Sequence, residues 1–192
     1  MLRIILLFLL ILSLPLHAAN QQDLAQLIKM ANTDDKAGLD LSNADLRRYK
    51  FSLDKSNLQN ANLSHSNLAT VDLSKMDLSN ADLSYADLSN INLSQAKLTN
   101  VNFNHAILTH ANLSQANISN ASLYGTLLVN ANLQHANLTR ADFSCANLSN
   151  ANLAHANIAE ATISGATFIN TVTTDMTHYD SVIDTHVTCE GK

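Results

Sequence analysis

Four aspartates recur at intervals of five residues, and carboxylates at fixed spacing could do chemistry if the fold made them converge. They are Asp72, Asp77, Asp82 and Asp87. Two carboxylates that share a site can act as general acid and base, and several oxygen ligands together can bind Ca²⁺. Whether these side chains meet depends on the elements that carry them.

Two further pairs of residues, one of histidines and one of cysteines, are also of types that could do chemistry. His135 and His155 are separated by four such intervals, and two imidazoles that lie side by side can share a transition metal. Cys145 and Cys189 are the two cysteines of the chain, and an oxidising compartment would permit a disulfide between them. Serine is abundant, but it falls in repeated positions, without a histidine and an acid arranged around it for nucleophilic catalysis.

A large apolar residue occupies every fifth position from Leu53 to Phe168, through 24 consecutive repeats. A small or apolar residue stands two positions earlier, usually with Asn or Asp between them, as in Ala81-Asp82-Leu83. A period of five fits neither a helix nor a plain strand, whereas a short fixed period is typical of a solenoid. Because alternate residues of an extended segment point the same way, the large and small residues face inward and the Asn or Asp faces outward.

The repeat already begins at Leu41, but it changes phase between Phe51 and Leu53. A local bulge or a two-residue insertion must absorb this change.

These units, such as Ala151-Asn152-Leu153, resemble the pentapeptide-repeat family, whose motif is A-(D/N)-L-x-x. The resemblance implies an all-β fold, a right-handed quadrilateral β-helix with four repeats in each turn. The 24 repeats then make six coils in a rod about 30 Å long. We assign residues 37–170 to this β-helix.

Four repeats of five make a 20-residue coil, on which equivalent positions of successive coils stack at about 4.8 Å. The four aspartates then lie on four different sides and cannot form a catalytic pair or a Ca²⁺ site. The two histidines stack at a corner, in a column that reads Lys55, Lys75, Gln95, Gln115, His135, His155. Because two exposed ligands without a carboxylate or a cysteine make a weak site, we expect solvent-exposed histidines, no metal site, no cofactor and no enzymatic activity.

Asparagine is frequent as the last residue of a repeat, where the chain turns a corner. These residues are Asn60, Asn80, Asn90, Asn100, Asn120, Asn130, Asn150 and Asn170. Asparagine tolerates a positive φ and can form hydrogen bonds along a ladder, so we expect a structural role for them.

One part of the outer surface is predicted to be apolar. Ile107 and, one coil later, Leu127 take outward positions, with Tyr124 and Val129 near them and Ile169 farther along the same side. Exposed apolar patches often mark contact surfaces. The alternatives are tolerated drift of the repeat or cover by another copy of the chain.

Cys145 takes an outward corner and Cys189 lies in the tail, which begins little more than one coil beyond Cys145. The tail could fold back to form the disulfide, and two free thiols remain the alternative.

The two ends differ from the repeats. Residues 1–19 have the charged start, the apolar run Ile4–Leu16 and the small residues of a cleaved secretory signal, and an uncleaved inner-membrane anchor is the alternative. Residues 20–36 read as a short amphipathic helix that caps the solenoid. Residues 171–192 form a C-terminal cap and tail, in which a short helix and a degenerate coil are both compatible with the sequence.

The sequence favours an exported, periplasmic or secreted, non-catalytic protein that acts as a protein–protein interaction module or a structural scaffold. Its partner would be an unidentified protein or a second copy of the chain, and no membrane span remains after signal cleavage. A secreted effector that binds a host protein is one form of this hypothesis.

The resemblance also brings in a second class of function, because some pentapeptide-repeat proteins are DNA mimics that protect DNA gyrase. Such a mimic needs a densely acidic surface. From Leu53 to Asn170 there are only seven acidic and four basic residues, and the net charge of −5 does not suggest nucleic-acid binding. The DNA-mimic hypothesis is therefore the less favoured one.

Overall fold

The computed structural model describes residues 40–47, 58–175 and Cys189, and these residues form a four-sided solenoid. From Asn62 onward, the middle residue of each repeat forms a parallel bridge with its equivalent in the next coil, four repeats later, and the last bridge joins Asn152 to Val172. Each side of a coil is one bridge residue wide, and within the described residues there is neither a longer strand nor a helix. The predicted four-sided β-helix is therefore confirmed for this part of the chain.

The predicted signal peptide (1–19) and N-terminal capping helix (20–36) lie outside the described residues. The structure therefore gives no support for the capping helix. Among the residues that the structure does describe, no helix is long and apolar enough to cross a membrane.

The phase change near Phe51 corresponds to two extra residues in the first coil. Asp40 bridges Asn62 and Asp45 bridges Asn67, so that the partners in each of these pairs are two positions farther apart than in the regular coils. Two extra residues thus absorb the change of phase, and the described residues before it pair in register with the coil after it.

The interior is filled in layers, one for each coil. In the coil that contains Phe103, the large inward residues are less than 1% exposed and the small ones at most 1%. These residues are Phe103, Leu108, Leu113 and Ile118, with Ala106, Ala111, Ala116 and Ala121. Burying each large side chain contributes about 1.5–3 kcal/mol before chain entropy is subtracted. The few hydroxyls in small inward positions are satisfied, as where Ser66 Oγ donates to the Leu63 carbonyl oxygen at 2.6 Å.

Every fifth residue from Asn60 to Asp175 has a positive φ, which places it at a corner. Only Gly125 and Gly165 among these corner residues are glycine. The left-handed conformation costs other residues about 1–2 kcal/mol each. Hydrogen bonds between coils offset this cost, since each corner N–H in the regular part donates to a carbonyl oxygen of the next coil, as from Asn80 to Thr99 at 2.9 Å.

The corner asparagines also form the expected side-chain ladder. The Nδ2 of Asn80 donates to Oδ1 of Asn60 at 3.2 Å, and the Nδ2 of Asn100 donates to Oδ1 of Asn80 at 2.9 Å.

The Asn or Asp in the middle of a repeat has a structural purpose beyond facing water. Its side-chain oxygen accepts a hydrogen bond from the backbone N–H two positions on, as from Ser64 to Asn62 at 3.1 Å and from Ser74 to Asp72 at 3.0 Å. The second of these bonds is the main reason that the pKa of Asp72 is lowered from its ordinary value. The side chain thereby fixes the start of each corner, which explains why Asn and Asp, rather than any polar residue, recur there.

Thr70 is the least suitable residue at a corner, because it is β-branched and has a φ of 65°. Four of the other five residues in its column are asparagine: Asn90, Asn130, Asn150 and Asn170. We predict that Thr70→Asn raises the free energy of unfolding by about 1 kcal/mol, because it relieves backbone strain. Urea denaturation followed by circular dichroism measures the change. Thr109→Asn, one position before a corner, is the matched control and should bring no gain; an equal gain in both variants would contradict the corner argument.

Candidate functional site

The second face of the solenoid breaks the polar pattern of the outer surface. Its outward residues, in order along the rod, are Asp45, Asn67, Asp87, Ile107, Leu127, Asn147 and Thr167. Ile107 and Leu127 bridge each other in neighbouring coils, and they are 38% and 42% exposed. We call these two residues the apolar patch.

Polar residues end the apolar patch in both directions along the rod. Asp87 bridges Ile107 on one side, and Asn147 bridges Leu127 on the other. Each of these two polar side chains accepts hydrogen bonds from the backbone N–H and the hydroxyl of the serine two positions on, at 2.6–3.0 Å. Because the Oδ1 atom of each of these side chains already has partners within its own repeat, the apolar side chains are the groups that gain most from being covered.

The other residues predicted for this surface differ in their exposure and in their distance from the apolar patch along the rod. Val129 follows Leu127 in the same repeat and is half-buried, and Tyr124 is half-buried at the preceding corner. Ile169 is 62% exposed, but it lies two coils beyond Val129, with Ser149 between them in the ladder. Contrary to the expectation from the sequence, the patch does not continue to Ile169, because a polar coil intervenes.

A column of rings lies along the corner beside the apolar patch, and we call it the aromatic corner (His65, Tyr85, His105 and Tyr124). The His65 and Tyr85 rings stack with centroids 4.9 Å apart, and the Tyr85 and His105 rings with centroids 5.0 Å apart. The Tyr124 ring meets His105 edge-on at 5.5 Å. Tyr85 is 54% exposed and lies in the coil of Asp87, whereas His105 and Tyr124 lie in the coils of Ile107 and Leu127.

The stack of rings ends at His105, because the next corner residue in the column, Gly125, has no side chain. This glycine takes the corner position above His105 with a φ of +64°, and a Cβ at this position would lie 2.8 Å from Nδ1 of His105. The missing side chain leaves room for the imidazole ring.

The aspartates do not form a site. Asp72, Asp77, Asp82 and Asp87 each bridge on a different face of the rod, as expected. Asp77 instead pairs with Lys97 in the next coil, at 3.3 Å between Oδ2 and Nζ. Such an exposed pair contributes about 0–1 kcal/mol.

The histidines predicted to stack do so. The His135 and His155 rings are parallel within 7°, with centroids 4.8 Å apart. The column also continues to Asp175, whose Oδ2 is 3.9 Å from Nδ1 of His155. The sequence-based statement that no carboxylate shares this column is therefore wrong. Among the described residues, no three His, Cys, Asp or Glu side chains are grouped closely enough to hold a metal by themselves.

The structure joins Cys145 and Cys189 in a disulfide, with their Cα atoms 5.5 Å apart. Cys145 takes the corner position one coil above Gly125, and Cys189 Sγ lies 3.7 Å from the Gly165 carbonyl oxygen, one coil farther on. The tail is thus attached to the same edge of the rod that carries the aromatic corner.

A cavity of about 500 Å³ lies at the C-terminal end of the described coils. Inward residues of the last two coils line most of it: Phe143, Leu148, Leu153, Ile158, Ala161, Ile163, Phe168, Thr171, Thr173 and Asp175. Most of the described residues that line it are apolar, like the core of the rod. Among these described lining residues, Asp175 is the only ionisable one.

Comparison with protein families decides the identity of the fold. A family described as pentapeptide repeats matches residues 56–95 with eight copies, and a pentapeptide repeat region matches residues 96–171. The chain belongs to the pentapeptide-repeat family. Members of this family form right-handed quadrilateral β-helices, and the four-sided circuit of the coils agrees with that architecture. None of the curated proteins compared with this pentapeptide-repeat chain matches it.

Solved pentapeptide-repeat structures resemble the chain only distantly. A protein from the thylakoid lumen of Arabidopsis thaliana is 24% identical with a TM-score of 0.42, over 51% of this chain and 65% of that one. The chain thus spans just under two thirds of that relative. A trypsin-treated variant of QnrB1, a plasmid-mediated fluoroquinolone resistance protein, is 16% identical with a TM-score of 0.41, over 78% of this chain and 89% of that one. HetL of Nostoc sp. strain PCC 7120, involved in the regulation of heterocyst differentiation, is 24% identical with a TM-score of 0.26, over 81% of this chain and 93% of that one.

Two features of this pentapeptide-repeat surface are not among those predicted from the sequence. The sequence already places His65, Tyr85 and His105 in one corner column, and the unpredicted part is the stacking of their rings, which follows from the coil spacing. Asp175 could have been found by extending the histidine column one further coil. The motif has already decayed at that point, which hid the continuation of the register.

The disulfide closes a loop with a sequence separation of 44 residues. A loop of this length restricts the unfolded chain enough to stabilise the fold by about 4 kcal/mol. We predict that the double variant Cys145→Ser, Cys189→Ser loses most of this stability relative to the oxidised protein in urea denaturation. A dithiol reductant should lower the wild type to the level of the variant and leave the variant unchanged. Two alkylated thiols in non-reducing mass spectrometry of the wild type would contradict the bond.

Proposed function

We propose that this pentapeptide-repeat chain is an exported, non-catalytic protein that acts as a protein–protein interaction module or scaffold through its second face. The observation that carries the proposal is the exposure of Ile107 and Leu127 side by side on an outer surface otherwise dominated by Asn, Asp, Ser and Thr. Covering two such side chains removes apolar area from water without breaking any hydrogen bond of the rod.

The geometry of the patch suits recognition by contact. Both apolar residues are held by bridges to neighbouring coils, so that their backbone loses little freedom when a partner binds. The aromatic corner beside them supplies rings that already pack against one another. Rigid apolar and aromatic side chains are the usual anchors of protein interfaces.

The described interior supports a non-catalytic role. Catalytic sites normally occupy clefts in which several polar groups converge. Here apolar side chains fill nearly all of the described inward positions, and the acidic groups of the coil at 72–87 lie on separate faces. The chain therefore offers its exterior to other molecules.

Export is supported by the two ends of the chain. Residues 1–19 have the composition of a cleaved secretory signal, and a disulfide such as Cys145–Cys189 persists in oxidising compartments. A periplasmic resident and a secreted effector that binds a host protein share these features. The DNA-mimic alternative is less favoured, because an apolar patch and stacked rings do not resemble a phosphate backbone.

The contact role predicts that Ile107→Asp combined with Leu127→Asp abolishes partner capture or self-association while the fold persists. Two new carboxylates would have to be desolvated at the interface. The control variant, Asn117→Asp with Asn137→Asp, introduces the same two charges in the same two coils, on the opposite face. It should leave partner capture and self-association unchanged. Pull-down from the native cell and analytical ultracentrifugation give the readout, with circular dichroism to verify folding. Unchanged behaviour of the patch variant would reject this surface.

Export predicts that the mature chain is recovered outside the cytoplasm and begins near Ala19 or Asn20. Fractionation of the native cell, followed by intact-mass measurement, determines both. A full-length chain that begins at Met1 and remains in the cytoplasm would rule out the signal peptide.

A further inference from the structure

We propose that the corner column formed by His135, His155 and Asp175, which we call the histidine column, binds one divalent transition-metal ion, with the two imidazoles as its ligands. The suitable ions are those that prefer nitrogen ligands, namely Cu²⁺, Ni²⁺ and Zn²⁺. This inference is independent of the apolar patch, which lies on a different side of the rod.

The fold itself creates the pair of ligands. His135 and His155 take equivalent corners of successive coils, with φ of 58° and 59°, so that both side chains leave the rod in the same direction. Their rings are stacked 4.8 Å apart and exposed. A flexible surface would have to order two histidines before it bound a metal, whereas the coil spacing holds their backbones in place.

The distance between the rings is within reach of a shared ion. Metal–imidazole bonds measure about 2.0–2.1 Å, so that two nitrogens on one ion are at most about 4 Å apart. An imidazole binds a metal in the plane of its ring, and the two rings lie in parallel planes with centroids 4.8 Å apart. Both rings must therefore rotate about their exposed side-chain bonds until their nitrogens converge on the ion. Water molecules fill the remaining coordination positions on the solvent side.

Asp175 adds the second element of a metal site. Its carboxylate lies 3.9 Å from Nδ1 of His155, a distance suited to electrostatic attraction and longer than a hydrogen bond. A negative charge on this side favours the tautomer that keeps its proton on Nδ1, which leaves Nε2 free for the ion. Asp175 thus acts as a positioning residue.

The chain supplies its own controls. His65 and His105 are separated by the ring of Tyr85, and His110 lies in a column between Asn90 and Asn130. None of these three histidines has a second imidazole in the adjacent coil of its own column.

The substitution can also be matched to the site. Gln95 and Gln115 take the same corner in earlier coils, with φ of 60° and 59°. His→Gln therefore places in the column a residue that it already accommodates.

The test is isothermal titration of the folded full chain with Cu²⁺ alone and with Zn²⁺ alone, for the wild type, His135→Gln, His155→Gln, the double variant and His110→Gln. We expect one site, tighter for Cu²⁺ than for Zn²⁺. Either single change in the column should weaken Cu²⁺ binding by more than the roughly 10–100-fold typical of losing the partner of a metal ligand. His110→Gln should bind like the wild type, and Asp175→Asn should weaken binding by about tenfold with unchanged thermal stability.

Electron paramagnetic resonance of the Cu²⁺-loaded wild type should show two coordinated imidazole nitrogens, and each single variant should show one or none. The proposal is overturned if the double variant binds Cu²⁺ as tightly as the wild type. It is equally overturned if the wild type shows no site, or if His110→Gln loses as much affinity as the column variants. Circular dichroism of every variant separates these outcomes from unfolding.

Discussion

The structure depends on one constraint, that a large apolar side chain must point inward at every fifth residue while the chain turns a corner between them. From Asn62 to Val172 this constraint keeps successive coils in the same register without an exception. The burial of four large and four small side chains in each layer supplies the free energy. The corners cost free energy, because they require a left-handed residue, and bonds between coils offset that cost. Glycine is therefore not needed at most corners, and the corner positions are open to side chains of many kinds.

This freedom at the corners is what makes the outer surface variable. A side chain changed at a corner or in the middle of a face leaves the layers of the core intact, and the register places it in contact with its equivalents in the next coil. The aromatic corner, the histidine column and the disulfide at Cys145 are three results of the same geometry. These columns are the part of the rod that differs from coil to coil, and we propose that they carry its function.

The inward and outward positions, the four-sided coil and the two-residue insertion near Phe51 could be predicted from the sequence, because each is a direct consequence of a period. What could not be predicted concerns groups whose position the period does not set. The middle Asn and Asp residues turn back to accept a backbone N–H, a preference of these side chains for turns that the repeat alone does not reveal. Ile169 shares a side of the rod with Val129, but two residues on a solenoid are neighbours only if their coils are also adjacent. Asp175 was overlooked, since the large residues that mark the repeat are lost before it while the corner geometry continues.

The central claim is that the second face, and not the rod as a whole, makes contact with other proteins. The most direct measurement places a photo-crosslinking amino acid at position 127 or, in the same coil on the opposite face, at position 137, and irradiates the native cell. The account predicts a discrete crosslinked product, with a second copy or with another protein, from position 127 and none from position 137. Equal yields at the two positions, or a product from position 137 alone, would contradict it.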